Sequence, residues 1–96
     1  MYSDPCIQGK YVTGSIDGEN LIALVFPRSV SHYDIASFFR GRDAVSAGFL
    51  MIDKSTFEVS VFGASDSLGI PSDPERDLPL VQKALGLLGD VTKALQ

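Results

Sequence analysis

The chain contains one cysteine and one histidine, and these two scarcities exclude whole classes of chemistry. With Cys6 alone no intramolecular disulfide can form, so the thiol is expected in a reducing compartment, with the cytoplasm as the default. A nucleophilic thiol needs a cationic or helix-terminal setting, which nothing around Cys6 supplies, and it is expected to be inert. Side-chain zinc sites draw three or four ligands from Cys, His and carboxylates in a few recurring sets, so neither a metal nor another cofactor is expected. Long apolar runs are missing too: the longest, residues 21–26, falls far short of the ~20 residues of a membrane-spanning helix. Residues 1–10 include Asp4 and Pro5 and lack the basic start and apolar core of a secretory signal. Positive charge is also in short supply, since 8 Lys and Arg face 12 Asp and Glu for a formal net charge of -4. A sequence-independent grip on nucleic acid requires cations that displace phosphate counterions, so neither nucleic acid nor a membrane is an expected partner.

What is present is ordinary for a globular domain. A length of 96 residues, 45% hydrophobic and 21% charged, predicts one folded domain over 1–96, with residues 1–9 a flexible N-terminus. Residues 10–16 read as a strand ending in Asp17-Gly18, a pair that favours the positive φ angles of a hairpin turn. Residues 21–26 are apolar at every position, which fits a strand covered on both faces or lying centrally, and Pro27 ends it. Ser31 can cap a helix, with Asp34 at its third position and Val30 and Ile35 spaced as a hydrophobic staple. That helix is predicted over 33–40 with Ile35, Phe38 and Phe39 as its apolar stripe and Gly41 as its stop. Val45, Ala47, Phe49 and Met51 alternate with Ser46, Gly48 and Leu50, and after a turn at 53–55 Phe57, Val59 and Val61 alternate again, giving a second hairpin. Ser72 with Glu75 forms a capping box, but Pro79 would disrupt a helix interior, so the main helix is expected from Asp77 or Leu78. Its core stripe would be Val81, Ala84, Leu85, Leu88, Val91 and Leu95, with Phe49 opposite in the core. The predicted fold class is therefore α+β, a largely antiparallel sheet packed with two helices in the order ββαββα.

Two places could carry chemistry. His32 stands at a helix N-terminus, and residues 63–69 form a loop rich in glycine and serine after the fourth strand. Gly63-Ala64-Ser65-Asp66-Ser67 lacks the final glycine of a nucleophile elbow, and the only histidine precedes the serine, which excludes a serine hydrolase. Read separately, such a histidine is a solvated side chain and such a loop a turn. Read together, a group that titrates near neutral pH and a loop able to aim N–H groups at an anion suit phosphate chemistry.

These residues resemble the phosphohistidine phosphatase (Janus and Ocnus) family. His32-Tyr33-Asp34-Ile35 is similar to that family's His-Ala-Asp-Ile segment, Lys10-Tyr11-Val12 to its Lys-Tyr-Val, and Val61-Phe62-Gly63-Ala64-Ser65, with Gly69 after it, to its Val-Tyr-Gly-Tyr-Ser loop. The resemblance implies that Lys10 binds phosphate, that His32 is the base activating water, and that Ser65, Asp66 and Ser67 line the anion site. It runs in order from Lys10 to the C-terminal helix, with Ala64 in place of an aromatic residue and Tyr33 in place of a small one.

Two functions are thus open. One is a metal-independent phosphohistidine phosphatase-like or phosphate-binding protein. The other, favoured by Asp66 and the acidic balance, is a non-enzymatic module on the same scaffold that binds a small molecule or a protein, or assembles. Unpaired strand edges in so small a sheet also predict a homodimer.

Overall fold

The computed structural model describes residues 6–15, 17–39 and 44–95. Strand β1 (Cys6–Ser15) pairs antiparallel with β2 (Leu21–Phe26) on one side and with β3 (Ala44–Asp53) on the other, and β3 pairs antiparallel with β4 (Val59–Phe62). The sheet order is β2-β1-β3-β4. Between β2 and β3 lie α1 (His32–Ala36) and a 3₁₀ turn (Ser37–Phe39). After β4 come a two-stranded hairpin, β5 (Ala64–Ser65) and β6 (Ile70–Pro71), then α2 (Pro74–Leu88) and α3 (Val91–Leu95). The molecule is α+β with an antiparallel sheet, and the small hairpin and α3 extend the expected ββαββα order.

Alternation along the strands splits the interior into two layers. Ile7, Tyr11, Ala23, Leu50, Ile52 and Val61 point to one face, where Val81, Leu85 and Leu95 of α2 and α3 cover them. Val12, Phe26 and Ala47 point to the other, under Ala36 and Phe39 of the α1 segment. The unbroken apolar run of β2 follows from cover on both faces, although β2 is an edge strand and not a central one. Val45 leaves the alternation at 43% exposure because the β1–β3 register shifts between Thr13 and Gly14, skipping it.

The α1 start follows its capping signals: Ser31 accepts the Asp34 amide at 3.1 Å, and Val30 and Ile35 both pack on the core beneath. Other expectations need correction. Cys6–Gly9, expected in a flexible terminus, are the first part of β1, and Gly9 lies close enough to Leu95 that an added Cβ would sit 3.3 Å from its side chain. Phe38 is 71% exposed, because the chain tightens into the 3₁₀ turn and rotates it off the stripe. Residue 40, the expected helix end, and Gly41 lie outside the described residues, as do residues 1–5. Phe57 belongs to the turn and not to β4: Asp53 accepts the Ser55 amide and hydroxyl and the Thr56 amide on Oδ1 and the Phe57 amide on its carbonyl, placing Phe57 at φ 60°. Helix α2 starts before the expected position, with Asp73 as cap and Pro74 in its first turn, where a missing N–H costs nothing. Pro79 is carried inside it on the exposed side, where it lacks the N–H that would pair with the Glu75 carbonyl. Gly89 at φ 74° then breaks the chain, so Leu95 is delivered by a separate helix and Leu88 is 40% exposed. Leu85 is buried as expected; Phe49 is half-buried.

Candidate functional site

The cross-strand register lines up Phe26 of β2, Lys10 of β1, Phe49 of β3 and Phe62 of β4 as one row on the α1 side of the sheet. Over this row sits the His32 ring, edge-on to Phe26 at 5.6 Å and to Phe49 at 5.5 Å between centroids. Its Nε2 lies 2.8 Å from the Gly48 carbonyl. A carbonyl only accepts, so Nε2 carries the proton and the lone pair of the neutral ring is on Nδ1. His32 is 4% exposed, so the solvated side chain that a helix N-terminus suggests is instead a buried ring. Burial drives its pKa below the ordinary value; the Gly48 hydrogen bond opposes this and the charge of Lys10 adds to it.

Lys10 donates from Nζ to the Val30 carbonyl at 3.0 Å, two residues before His32. These two predicted site residues are therefore brought together. The loop is a self-contained turn. Ser65 is buried; its Oγ accepts the Leu68 amide at 3.2 Å and lies 3.3 Å from Ser67 Oγ, while its carbonyl accepts the Gly69 amide at 2.8 Å. Asp66 and Ser67 are exposed on that turn. The loop approaches the row at Gly63, where an added Cβ would stand 2.9 Å from the Phe49 ring, and Leu68 packs against the cluster that includes Phe26. No hydrogen bond or ring contact joins Ser65, Asp66 or Ser67 to His32 or Lys10 among the described residues.

Burial makes His32 a reporter of acid stability. A histidine whose pKa is depressed by folding binds fewer protons folded than unfolded, so its contribution is intact above the unfolded value of 6.5 and is lost as pH falls from there to the folded value. Urea midpoints should therefore fall from about pH 7.5 to about pH 5.5 in the native chain and stay flat in His32→Phe. Equal slopes in the two proteins would remove His32 as the cause. Asp17 and Asp53 do not confuse this window, because turn hydrogen bonds hold both carboxyls below their usual range.

A second polar cluster escaped the sequence reading. Asp77, fully buried at the start of α2, accepts Tyr11 Oη at 2.6 Å, Ser46 Oγ at 2.8 Å and the Asp73 amide at 2.9 Å. With Ser46 donating to Asp77, Thr13 Oγ1 donates in turn to Ser46 Oγ. The signal was available: Asp77, Val81 and Leu85 share one helical stripe at four-residue spacing, and a carboxylate there demands buried donors.

Two clefts open on the surface of the described residues. One, of about 360 Å³, is lined by Gln8, Gly9, Arg28, Phe49, Met51 and Phe62, with Arg28 Nη1 donating to Gln8 Oε1 at 2.5 Å. The other, of about 350 Å³, runs between β2 and α2 and is apolar except for Lys83. At its rim Leu87 is 83% exposed and Leu88 40%. Among the described residues no three His, Cys, Asp or Glu side chains gather as a metal-ligand set, and no helix is long and apolar enough to cross a membrane. Comparison with protein-family models, curated proteins and solved structures gave no match.

Proposed function

We propose that this chain is a non-enzymatic binding and assembly module that works through its apolar surface. The observation that carries this reading is that the groups phosphate chemistry would use are buried or hydrogen-bonded inside the fold. His32 is held between two phenyl rings on the Gly48 carbonyl, and Ser65 Oγ and the Leu68 and Gly69 amides close their own turn. A general base must reach within hydrogen-bond distance of the proton it removes, and a loop that cradles an anion must leave its amides unengaged. The β2–α2 cleft, by contrast, offers apolar surface with a leucine open to water, the kind of patch that marks an interaction site.

A phosphate-handling function of the phosphohistidine phosphatase kind has one observation in its favour. Lys10 and His32 share the α1 side of the sheet, and Arg28 adds a second cation at the cleft bordered by Phe49. In that reading Lys10 would bind phosphate, His32 would act through Nδ1, and Ser65, Asp66 and Ser67 would line the anion. A titration with millimolar inorganic phosphate, followed by NMR, separates the two. The module reading expects the amides of residues 63–69 and the His32 ring signals to stay in place, and a phosphohistidine peptide to survive. Hydrolysis by the native chain that His32→Ala abolishes would overturn it.

A further inference from the structure

We infer that the occupant of the β2–α2 cleft is a second copy of this chain, joined edge to edge along β2 in an antiparallel, two-fold symmetric pair. The inference deepens the module reading and rests on it. Among the described residues β2 pairs only with β1, so alternate residues of its other edge turn N–H and C=O groups outward. Such an edge is a template for another strand unless it is charged, bulged or covered. Residues 21–26 carry no charge and no bulge, and the cleft opens beside them. The other edge differs: β4 has four residues and is followed by Gly63 at φ 83°, which turns the chain away.

Self-pairing satisfies this edge better than a foreign strand of arbitrary sequence. Directly opposed residues in an antiparallel sheet point to the same face, so a two-fold axis normal to the sheet passes through one residue position. An axis at Ala23 opposes Ala23 to its own copy, Leu21 to Val25 and Ile22 to Leu24. Each of these pairs is apolar, Phe26 falls opposite Asn20 just beyond the strand, and the smallest side chain of the strand lies on the axis, where the chains approach most closely. The flanks fix the direction. Asp17 and Glu19 precede the strand and Arg28 follows it, all exposed. Antiparallel pairing brings the acidic turn of each copy to the Arg28 end of the other, twice by symmetry, whereas parallel pairing would align like with like. The four-stranded sheet then becomes eight-stranded, and Leu87 and Leu88 of both α2 helices move towards the axis on the face that carries Ala23.

Light scattering and sedimentation across micromolar concentrations test the pair. The native chain is expected at twice its 10.3 kDa mass. Leu87→Lys, at a residue 83% exposed and therefore harmless to the monomer fold, should raise the dissociation constant about tenfold or more. Glu19→Lys and Arg28→Glu should each weaken the dimer, and the double variant should restore it, an outcome that lost folding cannot imitate. A native chain that stays monomeric overturns the inference, as does a dimer indifferent to Leu87→Lys and to both charge reversals. Neither result touches the module reading, which fails instead if the chain hydrolyses phosphohistidine.

Discussion

Asp77→Ala is expected to destabilise the fold by about 3–5 kcal/mol, because it removes the acceptor of several buried donors at once. Tyr11 Oη, Ser46 Oγ and the Asp73 amide all end on this carboxylate, and Asp77, Tyr11 and Ser46 are each 1% exposed or less. Burial and the adjacent carboxylate push the Tyr11 hydroxyl well above the ordinary tyrosine range, so it remains a donor across the working pH range. With the carboxylate gone, each stranded donor costs about 1–3 kcal/mol, less where relaxation admits water. Arg76, half out in solvent beside Asp77, simply rehydrates and adds little. Tyr11→Phe is the informative contrast: it removes one donor and leaves the other two in place, so about 1–2 kcal/mol is expected. Urea unfolding with an unchanged slope measures both, and an Asp77→Ala loss under about 1 kcal/mol would show that the cluster does not anchor α2.

The same carboxylate marks where sequence reading stops being sufficient. Local signals were legible because they act within a few residues: the Ser31 cap and the Val30–Ile35 staple set the start of α1, and the uniform apolar run of 21–26 announced cover on both faces. Pro79 reads locally as a helix breaker, so the sequence places the start of α2 too late. Its true boundary is set by Asp77 reaching back to the Asp73 amide and across the sheet to Tyr11, 66 residues away in sequence. Phe57 differs for a related reason: alternation assigns it to the strand, while three hydrogen bonds to Asp53 Oδ1 fix a turn that alternation does not encode. Of the candidate site, the proximity of Lys10 and His32 was implied by the family resemblance. The burial of the His32 ring was not, since it depends on Phe26 and Phe49, two strands apart, both meeting that ring. Leu87 fell outside the predicted apolar stripe of α2, and that mismatch was itself the sign of an exposed leucine.

Gly48→Ala is expected to cost about 3 kcal/mol, at the upper end for overpacking, although alanine is the smallest possible addition. Gly48 lies within β3 and has no positive φ, so the obstacle is space and not backbone conformation. An added Cβ would stand 2.5 Å from the Phe62 carbonyl oxygen, 3.1 Å from Ser72 Cβ and 3.3 Å from Tyr11 Cε1. The nearest of these is main chain in the neighbouring strand, so relief requires β3 and β4 to part, and no side-chain rotation supplies it. Tyr11 yields no room either, because Asp77 holds its hydroxyl. Since the Gly48 carbonyl also accepts from His32, a displaced β3 should lengthen that bond and shift the His32 ring signals, linking the two polar clusters through one residue. Gly86→Ala provides the opposite sign in the same fold. It lies in α2 with nothing within 4 Å of the added carbon, so removing backbone freedom from the unfolded chain should stabilise by about 0.5–1 kcal/mol. Thermal melts of the two variants should therefore move in opposite directions from the native chain. If Gly48→Ala melted within a degree or so of native, β3 and β4 would have to be free to separate at that point, and the tight approach of Gly48 to the Phe62 carbonyl would be wrong.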